Sequence, residues 1–394
     1  MTDRLHIALD ARAVLRPQRR GIGKATLELY RCLLAQRPAW RVTAFYQPAD
    51  WHGDPALRDA ALSDLPPHFT PRAIDMPGDR FDAWTQVRLP LAAKLAGANL
   101  LHCPANVCPR FSRLPTVVTV HDLIPLQQTI GLPSDVRRLF ARAVRFAAAH
   151  AQAIICPSQH TRSLLLSEVH ACPSRLHVVP WGAPLSWTGR SAPTDDDRQV
   201  LARHRIDRPF VLHLGAADPR KNTVRLLDAW QSLRTKQQQQ HQLLIVGLDG
   251  DAQKQMMQWV SPCETDNSIR LHGFVSESDL ASLMRQAVCL AYPSLDEGFG
   301  LPLLEAMARD TPVLTSRCGS LPEVADAAAW YVDAHDTLSL AQGLGKLLSD
   351  EATRRALVAR GRENLLRFNW QAAAASTAMI FEETQVLSPQ REVA

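Results

Sequence analysis

Short apolar runs alternate with amphipathic helical stretches along nearly the whole chain. The runs that predict strands are residues 6–10, 41–46, 99–102, 116–120, 153–156, 176–180, 210–215, 243–247, 269–275, 288–292 and 311–315. Helical spacing of apolar residues separates most of them, as with Leu27, Tyr30 and Leu34 after the first strand. Strands that alternate with helices form parallel sheets covered by helices on both faces. The pattern therefore predicts an α/β fold with doubly wound parallel sheets.

The periodic pattern is interrupted between Ser186 and Gln199, where polar and turn-forming residues predominate. The acidic run Asp195–Asp197 follows no strand, so we expect a solvated linker here and not a metal site. The interruption predicts a first domain at 1–187, a linker at 188–198 and a second domain at 199–368. Each domain is long enough to bury its own core. A final amphipathic helix is predicted within residues 369–394.

Composition and charge narrow the class of protein. The chain has 46% hydrophobic and 21% charged residues, as globular proteins do. Its formal net charge of +5 over 394 residues is mild, so no nucleic acid partner is expected. The eight cysteines are scattered, with no C-x-x-C pair, which indicates reduced thiols and a cytoplasmic location. We see no secretion signal and no apolar run of about 18 residues, so no membrane span is expected.

The segment 292–306 carries the strongest chemical signal. A strand ends at Tyr292, a glycine-rich loop follows with Glu297, and Pro302 opens a helix whose first turn is expected to hold Glu305. A helix N-terminus offers unpaired N–H groups and a positive dipole end, which suit a diphosphate. Because carboxylates repel phosphates, each glutamate is expected to accept from sugar or ribose hydroxyls. The segment predicts a nucleotide-sugar pocket; a buried turn whose glycines serve only packing is the alternative.

A basic turn follows the strand at 210–215. Arg220 and Lys221 stand side by side before a helix, where charge and oriented donors both match a diphosphate. A purely structural salt bridge is the alternative interpretation. The later sequence Asp249-Gly250-Asp251 looks like a metal-binding D-x-D, but we predict a turn there and no metal site, because other groups already serve the phosphates.

Three features of the first half are candidates for function. Gly23 lies in a glycine pair that opens the first helix, either as a ligand contact or as a tight turn. His121 directly follows a strand, at the edge where such sheets bind ligands, and Asp122 is placed to orient its ring. The helix at 135–151 carries Arg138, Arg142 and Arg145, which fit either a membrane surface or a solvated face.

Glu297 and Glu305, with Gly298-Phe299-Gly300-Leu301-Pro302 between them, resemble the E-x7-E motif of retaining glycosyltransferases of family 4. The resemblance extends over nearly all of the chain. It implies the GT-B fold of two facing Rossmann-like domains, with a C-terminal helix that crosses back to the first. It also implies a reaction without a metal ion or another cofactor.

The resemblance assigns roles to individual residues. Gly23, Phe274 and Val275 are expected to contact the donor, the last two at the base. The basic pair Arg220 and Lys221 and the amides of 298–301 are expected to stabilise the departing pyrophosphate, although Ala216 stands where many members carry an arginine. Glu305 is expected to bind the ribose, and Glu297 and His121 the transferred sugar. The residues in this set are Gly23, His121, Arg220, Lys221, Phe274, Val275, Glu297, Gly298, Phe299, Gly300, Leu301 and Glu305.

The motifs 21–23, 119–123 and 218–222 most resemble bacterial mannosyltransferases that build surface polysaccharides. GDP-mannose is therefore the favoured donor, and a saccharide or lipid-linked saccharide the acceptor, with peripheral contact at the inner membrane face. UDP- and dTDP-sugars stay open, as does a catalytically silent sugar-nucleotide-binding protein. A dinucleotide oxidoreductase is disfavoured, because the first glycine loop lacks the G-x-G-x-x-G spacing.

Overall fold

A computed structural model describes residues 4–16, 21–48, 63, 65–74, 83–127, 133–183, 195–215, 218–233, 235–248, 250–258 and 268–386. The chain divides into two compact units. The first unit comprises Met1–Trp181 with Asn369–Ala394, and the second comprises Gly182–Phe368. Residues 188–194 of the predicted linker lie outside the described residues, so the linker bounds stay a prediction.

The first unit is built on a parallel sheet. Its strands are β1 (His6–Asp10), β2 (Arg41–Tyr46), β3 (Phe69–Ala73), β4 (Leu100–Cys103), β5 (Thr116–Thr119), β6 (Ala153–Cys156) and β7 (Leu176–Val178), in the order β3-β2-β1-β4-β5-β6-β7. The helices are α1 (Gly21–Gln36), α2 (Leu89–Leu95), α3 (Ile124–Gln127), α4 (Ser134–His150) and α5 (Gln159–Ser167), and a π-helical turn at Trp84–Arg88 precedes α2. Strand residues such as Ile7, Val118 and Ile154 are fully buried, as expected for strands covered on both faces.

The second unit repeats this design. Its helices are α6 (Asp195–Arg203), α7 (Thr223–Gln231), α8 (Thr235–Gln240), α9 (Gly250–Met257), α10 (Glu277–Gln286), α11 (Leu301–Met307), α12 (Leu321–Ala325), α13 (Thr337–Ser349) and α14 (Glu351–Leu365). Its strands are β8 (Phe210–Leu214), β9 (Gln242–Val246), β10 (Ile269–Leu271), β11 (Cys289–Tyr292), β12 (Val313–Ser316) and β13 (Ala329–Val332), in the parallel order β10-β9-β8-β11-β12-β13. The strand order reverses between β8 and β11, and ligands bind such sheets where the carboxyl ends of two strands flank this reversal.

The last helix, α15 (Trp370–Val386), belongs to the first unit, where it packs on α1. The Phe381 ring stacks on Trp40 with centroids 6.5 Å apart, and Arg37 Nε donates to Glu382 Oε1 at 3.0 Å. Two Rossmann-like units and a returning C-terminal helix confirm the predicted fold class. Within the described part of the chain, no helix combines the length and the apolar character that crossing a bilayer requires.

Two predictions about local structure were wrong. The acidic run at 195–197 is not solvated linker, since it begins α6, and Asp197 is only 1% exposed. Its carboxylate accepts from Ser282 Oγ at 2.5 Å and pairs with Arg285, which fixes α6 on α10. Of the predicted turn at 249–251, Asp249 lies outside the described residues, whereas Gly250 and Asp251 begin α9. Edge strands β3 and β13 were not predicted.

Candidate active site

The basic turn and the glutamate loop leave the sheet side by side, after β8 and after β11. These two strands are adjacent and parallel, with Leu212 opposite Leu290. The turn Pro219–Lys221 is a single 3₁₀ turn, in which the Asp218 side chain accepts from Arg220 N at 2.9 Å. The neighbouring loop is tied to it because Leu295 N donates to Arg220 O at 2.8 Å. The sheet topology therefore brings together two motifs that are far apart in sequence.

Asn222 completes this turn in a left-handed conformation, with φ of 61°, which asparagine tolerates better than most residues. Its side-chain amide donates to Pro293 O at 3.1 Å and to Ala334 O at 2.7 Å. Asn222 thus has a positioning role, since it ties the basic turn to the backbone that follows β11 and β13.

Four side chains form what we call the charge cluster: Arg220, Lys221, Tyr292 and Glu297. The Glu297 carboxylate pairs with Arg220 Nη1 at 2.6 Å and with Lys221 Nζ at 2.7 Å. The Tyr292 hydroxyl donates to Glu297 Oε1 at 2.7 Å, and Lys221 Nζ donates to the same hydroxyl at 2.5 Å. The side chains of Arg220, Lys221 and Glu297 are 13%, 17% and 10% exposed, so water screens these charges weakly.

Glu297 and Arg220 stay ionised although both are largely removed from water. Burial alone would raise the pKa of Glu297, but Lys221 and Arg220 lower it to about 2. Burial would likewise lower the pKa of Arg220, whereas Glu297 and Asp218 raise it above its ordinary value. Ionised Glu297 contributes stability above the ordinary carboxyl pKa, and that contribution is lost as the pH falls towards its folded value. Two cations and one carboxylate leave a net positive charge near neutral pH, which suits an anionic ligand.

The segment after β12 holds the glutamate loop from the other side. Ser320 donates to Glu297 O twice, from N at 3.0 Å and from Oγ at 2.9 Å. Gly319 has φ of +59°, and a Cβ at this position would lie 2.5 Å from Asp296 Oδ1 and 2.6 Å from Glu297 N. Only glycine fits there. Neither contact could be predicted from the sequence, because nothing local marks a glycine that supports a distant loop.

The remaining donor-site predictions fall on the same loop and helix. Gly300 is left-handed, with φ of +97°, and α11 follows it with Pro302 at its start. Glu305 is the fifth residue of α11, so its predicted place in the first turn was wrong. Its side chain is buried, with 6% exposure. Gly298 is buried, and Phe299 is 4% exposed. The Phe299 and Phe368 rings make an edge-to-face contact, with their centroids 5.9 Å apart. Leu301 is also buried, so the side chains of 299 and 301 serve packing.

Phe274 and Val275 follow the edge strand β10, at the same carboxyl end of the sheet as the charge cluster. Gly247 N donates to Gly273 O at 3.0 Å, which fixes their turn against β9. Phe274 is 53% exposed. Ser276 caps α10, since its Oγ accepts from Asp279 N at 3.0 Å. An exposed aromatic ring on a fixed turn can stack on a planar base.

Gly23 and His121 belong to the first unit. A Cβ on Gly23 would lie 2.0 Å from Ala13 O, so close backbone packing requires glycine at this position. His121 is 5% exposed, its Nε2 lies 2.5 Å from Pro104 O, and its ring is 5.0 Å from that of Trp181. The Asp122 carboxylate accepts from Ile124 N at 3.2 Å. Pro104 and Trp181 therefore help to orient the His121 ring.

A second histidine that sequence reasoning missed lies near His121. His102 is fully buried between the Tyr30 hydroxyl at 2.8 Å and Thr119 Oγ1 at 2.9 Å. Burial, with His121 nearby, lowers the pKa of His102 to about 3, so it is neutral. Together with His121 it lines a cavity of about 10 Å³ under the sheet edge. We assign His102 a structural role, because both its ring nitrogens are occupied.

Two Rossmann-like units, one with a largely buried basic pair at its strand reversal, are the architecture of a GT-B glycosyltransferase. A sequence model described as Glycosyltransferase Family 4 matches residues 19–187, and one described as Glycosyl transferases group 1 matches residues 196–364. Together the two matches cover most of the chain. The protein belongs to glycosyltransferase family 4, and it is a glycosyltransferase.

Relatives and solved structures agree with this assignment. The O-antigen chain mannosyltransferase B of Escherichia coli is 28% identical over 262 residues, which are 66% of this chain and 68% of that protein. The D-inositol 3-phosphate glycosyltransferase of Xylanimonas cellulosilytica is 28% identical over 288 residues, 71% of this chain and 68% of the relative. The crystal structure of Anabaena HepE in complex with UDP-glucose superposes with a TM-score of 0.74 at 17% identity, covering 95% of this chain and 98% of that one. At that identity the likeness shows the fold.

Proposed function

We propose that this glycosyltransferase is a retaining, metal-independent mannosyltransferase. It would transfer mannose from GDP-mannose to a saccharide or lipid-linked saccharide acceptor in surface polysaccharide synthesis. The observation that carries the proposal is the charge cluster, which holds two basic side chains, each less than a fifth exposed, at the strand reversal of the second unit. Such a site meets the main demand of glycosyl transfer, which is to stabilise a departing diphosphate.

Different residues of the second unit would stabilise the two parts of the donor during the reaction. As the bond between the sugar and the phosphate breaks, positive charge grows on the sugar and negative charge on the phosphate. Arg220 and Lys221, with the backbone amides around 299–301, would stabilise the phosphate. Both cations are paired with Glu297, so the diphosphate would have to compete with this carboxylate for them. Glu297 would then accept from sugar hydroxyls.

The remaining roles follow the family resemblance. Glu305 would bind the ribose hydroxyls, and Phe274 and Val275 would contact the base. Gly23 and His121 would also contact the donor. Following the family resemblance, we infer no covalent sugar intermediate of the kind that double-displacement glycosidases form. Retention would then result from attack on the face that the diphosphate leaves.

The names of the relatives support the choice of donor. Mannosyltransferase B of E. coli is named for mannose, whereas HepE was crystallised with UDP-glucose. GDP-mannose is therefore our first donor, and a UDP- or dTDP-sugar is the second. The same fold without catalysis, in a sugar-nucleotide-binding protein, is the further alternative that the test must separate.

The first test is a thermal-shift panel with GDP, UDP, dTDP and ADP. A nucleotide at about 100 times its dissociation constant adds about 2.7 kcal/mol of stability, which raises Tm by several degrees. We expect a shift with GDP, and turnover with GDP-mannose and a mannose-containing acceptor. Lys221→Met tests whether the nucleotide binds at the charge cluster, and it should reduce the shift in Tm. A shift with UDP alone would replace the donor, binding without turnover would favour the silent protein, and no shift at all would contradict the nucleotide site.

We further propose peripheral contact with the inner face of the cytoplasmic membrane. On α4, Arg138, Arg142 and Arg145 are exposed, and Leu139 between them is 45% exposed. Phe111, on the neighbouring loop, is 72% exposed. Exposed arginines interleaved with apolar side chains suit the boundary between headgroups and acyl chains of an anionic membrane.

This contact predicts charge-dependent binding to vesicles. Each arginine near an anionic surface contributes about 1 kcal/mol, so replacing Arg138, Arg142 and Arg145 by glutamine should weaken binding to phosphatidylglycerol vesicles by about a hundredfold. Cosedimentation measures the bound fraction. The matched control replaces Arg355, Arg360 and Arg362, three exposed arginines of α14, and should bind like the wild type. Equal binding by both triple variants would contradict the proposal.

A further inference from the structure

Tyr292 is the member of the charge cluster that no motif assigned. It is the last residue of β11, and its side chain is only 1% exposed. Its backbone is also fixed, because Tyr292 O accepts from Thr315 Oγ1 of β12 at 2.8 Å. The phenol ring therefore has one position, and its hydroxyl reaches the end of the sheet beside the basic turn.

The hydroxyl of Tyr292 lies between two opposite charges. It accepts from Lys221 Nζ at 2.5 Å and donates to Glu297 Oε1 at 2.7 Å. Lys221 Nζ also lies 4.7 Å from the centroid of the Tyr292 ring, within the range of a cation–π contact. One side chain thus contacts the ammonium with both its hydroxyl and its ring. Phenylalanine at this position would keep the ring and the packing but lose both hydrogen bonds.

We propose that Tyr292 is a positioning residue of the donor site. Its hydroxyl fixes the Lys221 ammonium. It also keeps a hydrogen bond to the Glu297 carboxylate when the ammonium turns towards a donor phosphate. The last part rests on the proposed function. Without the hydroxyl, Glu297 would be left with Arg220 as its cation once Lys221 is engaged, and a buried carboxylate that loses a partner is strongly destabilised.

The tyrosine suits this role because it remains a donor. Burial and the neighbouring Glu297 raise the pKa of Tyr292 well above its ordinary value, so the hydroxyl keeps its proton in the physiological range. Lys221 cannot replace this donor during the reaction if its ammonium is bound to phosphate. Arg220 cannot replace it either, since it approaches the other carboxylate oxygen, Oε2.

The sequence makes a direct test possible. It holds six lysines, so a spectrum of ¹⁵N-labelled lysine ammonium groups has few signals. An ammonium that is largely buried and held by a hydroxyl and a carboxylate, as that of Lys221 is, exchanges its protons slowly. We expect one protected signal in the nucleotide-free wild type, assigned to Lys221 because Lys221→Met removes it. In Tyr292→Phe this signal should be lost to exchange. In Tyr331→Phe, which removes an exposed hydroxyl bound to Asp326 O at 2.7 Å, it should persist.

Steady-state kinetics test the consequence for catalysis. A hydrogen bond to a charged group corresponds to a factor of about 10 to 100, so kcat of Tyr292→Phe should fall by that factor, with the donor KM within about threefold. In a Glu297→Gln background the same substitution should cost much less, because the two residues act together. Tyr331→Phe should retain the wild-type kcat. A fall in kcat that is equal in both backgrounds would indicate a merely structural role and overturn the inference.

The two measurements separate the inference from the proposed function. A protected signal that persists in Tyr292→Phe, or that is absent from the wild type, overturns the positioning role whatever the kinetics. A signal that is lost while kcat stays unchanged overturns the role in donor use. If the signal behaves as expected but the wild type binds no nucleoside diphosphate, the positioning of Lys221 stands and the proposed function fails.

Discussion

Lys221→Met should lower kcat by about a hundredfold or more while the protein remains folded. Loss of one preorganised group that stabilises charge in a transition state typically costs a factor of about 100 to 1,000. The fold should tolerate the change, because Glu297 keeps Arg220 at 2.6 Å and the Tyr292 hydroxyl at 2.7 Å. The measurement is initial-rate kinetics with the donor selected by the thermal-shift panel, together with a melting curve of each protein.

The control for this prediction is Lys346→Met in the same unit. Lys346 pairs with Asp350 at 2.5 Å, but the two side chains are 42% and 30% exposed. Exposed pairs contribute little to stability, so this variant should match the wild type in kcat and melting temperature. If Lys221→Met keeps more than about a third of the wild-type kcat, the charge cluster does not stabilise the leaving group.

Gly319→Ala should abolish most activity and lower the melting temperature. Left-handed backbone costs an alanine about 1–2 kcal/mol, and overpacking adds about 1–3 kcal/mol. The new Cβ would lie 2.5 Å from Asp296 Oδ1 and 2.7 Å from Glu297 O, so the loop must move away from α12. Glu297 would then leave the hydrogen bonds of the charge cluster. Thermal unfolding and kcat measure the two effects.

Gly97→Ala separates backbone strain from the clash. Gly97 also has a left-handed backbone, with φ of +73°, but nothing lies within 4 Å of a Cβ built there. This variant should lose a little stability through strain and keep its kcat. Activity of Gly319→Ala within threefold of that of Gly97→Ala would show that the loop tolerates the displacement, and that the support from Gly319 is not required.

The sequence determined the fold class because parallel strands covered on both faces read as continuous apolar runs. Strands such as β5, β6 and β9 were predicted for this reason. The two missed strands, β3 and β13, lie at sheet edges. β3 contains Pro71 and has partly exposed residues, and edge strands admit proline and polar residues that break the pattern. The acidic start of α6 was missed because Arg285, the partner of the buried Asp197, is distant in sequence.

For the candidate site, the sequence predicted the loops on which its charged residues lie. Arg220, Lys221 and Glu297 follow strands that the apolar pattern located, and strand ends are where parallel sheets bind ligands. The pairing of these three charges with one another, the hydrogen bond from Tyr292 and the support from Gly319 could be read only from the folded chain. These contacts join residues of separate strands, and their partners depend on strand order and the path of each loop, which local patterns do not specify.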